Sequence, residues 1–155
     1  MRDKEIFSDG QDLSTAVAAT GVASDNIFDM ELDGAAGNEI ITNDQIDAFV
    51  NVQLLSTTNT GASGGMDVEI RSSDTNDLET SDIPIAKIHF TASELLTAAM
   101  PIQKSIKVLA TLSQKFFGVW YMPITTNLTG ETIVDAWISA VPDGSPNEGI
   151  QKIPS

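Results

Sequence analysis

The chain of 155 residues contains no cysteine. It therefore has no disulfide framework, no thiolate metal site and no cysteine nucleophile. A single histidine, His89, leaves metal binding and acid–base chemistry short of parts. Basic residues are scarce: 8 Lys and Arg stand against 22 Asp and Glu, for a net charge of -14. That balance argues against nucleic acid and against an anionic membrane surface, which both call for cationic side chains. No apolar run approaches the ~20 residues of a membrane-spanning helix. The opening Met1-Arg2-Asp3-Lys4-Glu5 has no apolar segment of signal-peptide length behind it. What remains is 41% apolar residues, enough for one core in one domain. Composition predicts a soluble acidic domain, not an enzyme, with no cofactor, no nucleic acid and no membrane as partner.

The charge is unevenly placed. No Lys or Arg occurs from Glu5 to Ile70, whereas eleven acids lie between Asp3 and Asp47. Four of the eight bases, Lys87, Lys104, Lys107 and Lys115, fall in one later stretch. The simpler account is a solvated acidic face. The sharper one is a polar molecule whose basic side meets an acidic partner or another copy of itself.

The hydrophobic period is mostly 2. In Met66-Asp67-Val68-Glu69-Ile70-Arg71 the apolar residues point one way and the charges the other, the mark of a half-buried antiparallel strand. The sets Ala48/Val50/Val52/Leu54, Ala86/Ile88/Phe90, Ile106/Val108/Ala110 and Val134/Ala136/Ile138/Ala140 alternate in the same way. Residues 27–32 are a sixth candidate. Residues 116–122 are apolar on both faces, as in a central strand covered on both sides. The small-residue run 15–23 is a possible eighth. Turn signals at 34–38, 59–65, 72–77 and 127–130 separate these runs. Seven or eight short strands at this spacing predict an all-β, jelly-roll-type antiparallel sandwich.

One helical signal interrupts the strands. Thr91-Ala92-Ser93-Glu94 spells a capping box ahead of Leu95 and Leu96, so a short helix or turn is predicted to bridge strands there. The domain is assigned to residues 1–141 and an extended tail to 142–155. The tail's Pro and Gly residues exclude regular structure, while Ile150 and Ile153 give it two apolar anchors. It is either a frayed end or an arm that docks on a neighbour.

Several motifs imitate chemistry. Asp29-Met30-Glu31-Leu32-Asp33-Gly34 opens like a calcium loop, but the twelfth position is Ile40, where a bidentate Glu is required. Gly61-Ala62-Ser63-Gly64-Gly65 matches a nucleophile elbow in spelling, yet a strand follows it where the motif needs a helix. His89 falls on the polar face of its strand, where a surface or interface position is expected. A sugar-binding sandwich would show aromatics on one sheet face, and Trp120, Tyr121 and Trp137 are the candidates. Trp120 or Tyr121 is expected in the core. Trp137, between core-facing Ala136 and Ile138, is expected on the opposite face, covered by the tail or placed in an oligomer interface.

Three stretches together carry a resemblance: Phe7-Ser8-Asp9-Gly10-Gln11, then Ser24-Asp25-Asn26-Ile27-Phe28-Asp29-Met30, then Ser113-Gln114-Lys115-Phe116-Phe117-Gly118-Val119-Trp120-Tyr121. Their order over residues 5–141 resembles the jelly-roll capsid cement, or decoration, proteins of short-tailed phages. The resemblance implies a non-catalytic virion protein on the outer capsid surface. It implies a homotrimer that ties neighbouring major capsid proteins together. Asp9, Gln11 and Lys115 match the family pattern, and with Trp137, Ile150 and Ile153 they are the candidate interface residues. Gly118-Val119 stands where that family carries a second base. The alternative function is a carbohydrate-binding or receptor-binding β-sandwich module.

With no thiol, one histidine and an interrupted calcium loop, EDTA is expected to leave the melting temperature unchanged. A loss that calcium restores would return the 29–33 segment to consideration as a metal site.

Overall fold

The computed structural model describes residues 5–29, 41–42, 45–59, 63–73, 75–79, 83–96, 100–111 and 116–140. Among the described residues, ten strands and one short helix follow in chain order: β1 (Glu5–Asp12), β2 (Val22–Ala23), β3 (Phe28–Asp29), β4 (Ile41–Thr42), β5 (Gln45–Thr57), β6 (Met66–Ser73), β7 (Ile83–Phe90), α1 (Ala92–Leu96), β8 (Ile102–Thr111), β9 (Phe116–Pro123) and β10 (Thr132–Ser139). They form two antiparallel sheets. The first runs β1–β10–β5–β8, with β4 pairing the start of β5. The second has β2 and β3 on β9, then β6, then β7. With β2 and β3 counted as one interrupted strand, the eight principal strands pair first–eighth–third–sixth and second–seventh–fourth–fifth. That order is the jelly roll expected from the sequence.

The alternating sets supply the core. Ala48, Val50, Val52 and Leu54 of β5, Val134, Ala136 and Ile138 of β10, and Met66, Val68 and Ile70 of β6 are all buried in one cluster. Within each sheet the sets lie opposite one another in register, Val50 against Ile138 and Ile106 in the first and Val68 against Ile88 in the second. A shift of one residue would send the whole set to the wrong face, so the apolar pattern itself fixes pairing. The predicted capping box forms: the Thr91 amide donates to Glu94 Oε1 at 2.8 Å and the Glu94 amide to Thr91 Oγ1 at 3.2 Å. Helix α1 then carries the chain from the second sheet back to the first.

Two expectations differ from what forms. The run 15–23 is mostly turns, and only Val22–Ala23 is strand. The Val17 carbonyl accepts from both Thr20 and Gly21, which closes a tight turn before β2. Conversely, β1 is a strand that the alternation did not reveal. Its register against β10 breaks between Ile6 and Ser8 and again between Ser8 and Gln11. Each break inserts one extra residue, so the adjacent Phe7 and Ser8 are both buried although strict alternation would put them on opposite faces. Of the candidate strand 27–32, Phe28–Asp29 is strand and the remainder from Met30 lies outside the described residues.

Glycine is required at Gly21. Its φ is +86°, and a Cβ there would stand 2.7 Å from the Tyr121 carbonyl and collide with the Trp120 indole. Gly10, at the second break in β1, has φ +68° but open space around it. Gly10→Ala should therefore cost only the left-handed backbone term, about 1 kcal/mol. Gly21→Ala adds the overlap and should cost about 3 kcal/mol. Urea unfolding of the two variants measures the difference, and equal losses would refute the assigned packing at Trp120.

Candidate functional site

The described parts of the three stretches quoted above meet at one side of the sandwich. Phe7 stacks on Phe28 at 4.6 Å between centroids, and Phe117 meets Phe7 edge-on at 5.6 Å. This aromatic trio joins β1 of the first sheet to β3 and β9 of the second. A polar clamp lies beside it. Ser8 Oγ lies 2.7 Å from the Tyr121 hydroxyl and donates to Gln11 Oε1 at 2.6 Å. Gln11 Nε2 donates to the Ala23 carbonyl at 2.9 Å, and Gln11 Oε1 also accepts from the Asp25 amide at 3.0 Å. The Asn26 amide donates to the Phe7 carbonyl at 2.9 Å, and the Asn26 side chain donates to the Ile6 carbonyl at 3.1 Å. Ser24 Oγ accepts from the Val119 amide and donates to the Asn26 carbonyl. One edge of each sheet is thus closed against the other.

Acidic side chains gather on this closed side. Asp9, Asp12 and Asp25 are exposed, and Asp135 accepts from the Gly10 amide at 2.7 Å. Asp77 and Glu79 line a shallow cavity of about 240 Å³ with Gly21, Val22, Ala23 and Trp120. The Glu79 amide and the Thr75 hydroxyl both donate to Asp77, which holds its carboxyl below the usual range.

Around Trp120 the outer face of the second sheet is covered by Arg71 and by Leu78 of the β6–β7 connection. Arg71 donates to Glu69 Oε1 at 2.8 Å and to the Leu78 carbonyl at 3.0 Å. Its guanidinium stacks on Trp120 at 4.4 Å. Leu78 adopts φ +62° and is fully buried, with its side chain over Gly118, where a Cβ would stand 2.8 Å from Leu78 Cδ1. A left-handed leucine costs about 1–2 kcal/mol, which its burial against β9 offsets. The absence of a side chain at Gly118 is what admits it.

The opposite side, where β7 and β8 are the edges, is built differently. Lys104 of β8 stands in register with core-facing Val52, yet its ammonium reaches out to the His89 carbonyl at 2.7 Å and Glu94 Oε1 at 2.9 Å. It passes over the Phe90 ring at 5.0 Å. Burial pushes the Glu94 carboxyl up, but the Thr91 amide and Lys104 outweigh it, so it sits below its usual range. Lys87 pairs with Asp67 at 3.3 Å, and Lys107 pairs with Asp47 at 3.6 Å. His89 Nδ1 lies 2.7 Å from the other Asp67 oxygen. Sequence reasoning gave His89 no partner. The β6–β7 register, which puts Asp67 opposite His89, supplies one.

The candidate interface residues separate. Asp9 is exposed at the interrupted part of β1 and is free to meet a neighbour. Both ends of the Gln11 carboxamide are committed within the chain, so its place is structural. Trp137 lies opposite Asn51 and Ile6, away from the core-facing Ala136 and Ile138, as expected. It is only 1% exposed, however, so cover is already in place within one chain. Trp120, on the outer face of the second sheet, is 4% exposed. The surplus apolar surface read from β9 and Trp137 is therefore used inside the molecule, and an oligomer has to rest on other contacts. Lys115, Ile150 and Ile153 lie outside the described residues, as does the calcium-like segment beyond Asp29.

No family model matches the chain, and no curated protein matches it. Among the described residues no group of three or more His, Asp or Glu is placed to hold a metal ion.

The clamp makes a pH-dependent claim. Burial pushes the Tyr121 hydroxyl well above its ordinary value of 10.0, the Ser8 hydrogen bond opposes this, and the charges of Asp25 and Asp135 add to it. The folded chain keeps this proton where the unfolded chain loses it. The resulting stability is complete below pH 10 and falls as pH rises beyond it. Tyr121→Phe should cost about 1 kcal/mol at pH 8 and lose less than the wild type between pH 10 and 11.5. Urea unfolding across that range tests it; parallel pH curves would contradict the buried hydroxyl.

Proposed function

We propose that this protein is a capsid cement protein of a tailed phage, a non-catalytic trimer on the outer surface of the shell that ties neighbouring major capsid proteins together. The observation that carries the reading is the build of the sandwich: both sides are locked by side-chain clamps, and charge is sorted between them. Such a body suits a role in which shape and surface matter and no substrate is turned over. The resemblance of the three seam stretches to cement proteins supports the same reading. The rival, a carbohydrate-binding or receptor-binding module, calls for an open aromatic face. Tyr121 is in the core, and Trp120 and Trp137 are both covered.

Mechanistically, the trimer presents each weak contact three times, and avidity replaces individual affinity. Exposed ion pairs contribute only ~0–1 kcal/mol each and are screened beyond ~8–10 Å at ordinary salt. Apolar docking by the 142–155 tail, through Ile150 and Ile153, would survive that screening.

The test is addition of purified protein to mature capsids that lack it, with occupancy read by cryo-electron microscopy. Full-length protein is expected to saturate the shell. Deletion of the residues after Val141 is expected to lower occupancy more than a rise in salt does. Unchanged occupancy by the truncated chain would remove the tail from the mechanism. Failure to bind any capsid at any salt, together with specific binding on a glycan array, would replace this reading with its rival.

A further inference from the structure

Every described lysine lies on one side of the molecule. Lys87 is on β7, and Lys104 and Lys107 are on β8, the two edge strands that face each other there. Lys87 and Lys107 are more than half exposed, at 57% and 56%. Leu109, two residues past Lys107 on the same face of β8, is 68% exposed. Asp9, Asp12, Asp25, Asp77 and Glu79 stand on the opposite side, around β1 and β2. Among the described residues none of these carboxylates has a Lys or Arg within ion-pair distance. In a chain of net charge -14, two acidic sides repel when brought together.

We propose that copies of this chain associate side to side in one sense only, the lysine edge of β7 and β8 in one copy facing the acidic edge of β1 and β2 in the next. This rests on the trimer reading above and gives it a geometry. A contact between two different surfaces is heterologous, and three such contacts close a ring. Among the described residues the acids of the β1 and β2 side have no cation of their own, and the lysine edge is the described surface with exposed cations. Lys87 and Lys107 each lie beside a carboxylate of their own edge, Asp67 and Asp47, but such solvent-exposed pairs contribute little and can be exchanged for pairs across the contact. Leu109 adds apolar area beside Lys107. The two edges also differ in how far they are closed. At β1 the Ile6 and Phe7 carbonyls are already occupied by Asn26. At β8 the link to β7 is made by side chains, through Lys104. The contact is therefore made by side chains and adds no strand to the sheet.

Lysines on edge strands also have a simpler use, as charges that discourage strand addition. Charge reversal separates the two. Lys87→Glu/Lys107→Glu keeps a charge on each edge strand, so plain edge protection predicts unchanged association. The heterologous contact predicts at least a tenfold weaker one. Asp9→Lys/Asp25→Lys should weaken association to a similar degree although it removes four net negative charges, which a general repulsion effect would turn into a gain. Carrying both sets in one chain should restore most of the lost affinity. Sedimentation equilibrium of the full chain at 50 mM salt measures these constants, with thermal melting to confirm folding and Lys107→Glu alone as the milder variant.

Unchanged or stronger association of the Asp9/Asp25 variant would overturn the proposal, as would a wild-type monomer at 100 µM. The fate of the cement reading is measured separately, by capsid occupancy. Monomers that still saturate shells would sink the edge contact and leave cement function standing. An intact ring, sensitive to both reversals, that binds no shell would sustain the edge contact and sink cement function.

Discussion

The fold depends on how β1 is held. It is an edge strand with two register breaks, and strand pairing with β10 alone leaves its outer side open. Ser8, Gln11 and Tyr121 close that side from within: a buried phenol, a hydroxyl and a carboxamide satisfy one another and reach across to the Ala23 carbonyl and the Asp25 amide. Buried polar groups are costly unless paired, so a clamp of this kind admits few alternative arrangements. Phe7, Phe28 and Phe117 fill the space beside it. The two sheets consequently cannot slide independently at this side, and the acids around β1 and β2 are displayed on a fixed frame.

The second side follows a different logic. There the sheets meet through Lys104, whose alkyl chain starts from the core-facing register of β8 and whose ammonium ends on the His89 carbonyl and Glu94. A leucine at that position would fill the gap but would leave Glu94 without a cation. The long stem lets one residue serve the core and the rim together. Because Glu94 also caps α1, the helix, the edge of β8 and the end of β7 are linked through one carboxylate.

The legible part of this structure is the part governed by period. The sets Ala48/Val50/Val52/Leu54, Met66/Val68/Ile70, Ala86/Ile88/Phe90, Ile106/Val108 and Val134/Ala136/Ile138 each lie on one face and pack in or against the core, whereas Ala140, past the end of β10, is exposed. The capping box was legible because both of its residues stand at a fixed spacing. β1 was illegible because its breaks destroy the alternation, and a Gly inside Ser8-Asp9-Gly10-Gln11 imitates a turn. The cover on the outer faces was illegible for a different reason. Trp120 and Trp137 point away from the core, and period alone marks such residues as exposed. That Arg71 and Leu78 lie over Trp120 and Gly118 depends on the path of a connection, which carries no periodic signal. The pairing of Asp67 with His89 was recoverable once the β6–β7 hairpin is assumed in register, since the two occupy facing polar positions.

Those covered tryptophans change what an oligomer has to be. A sandwich with bare apolar outer faces would assemble by burying them, in any orientation that matched areas. Here Trp120, Tyr121 and Trp137 are spent inside the chain, and the large exposed apolar side chains among the described residues, Ile6, Val17, Leu96 and Leu109, are scattered over β1, the turn before β2, α1 and β8. Specificity then falls to charge, which is weak per contact but directional. In a strongly acidic chain most relative orientations of two copies are repulsive, and the lysine side is where that repulsion is lowest. Sorting the few bases onto one side therefore does more to choose an orientation than the same number scattered, because it leaves a single approach in which opposite charges meet. On the proposed edge contact, the scarcity of basic residues, which argues against nucleic acid and anionic membranes, is what would give the remaining ones their selectivity.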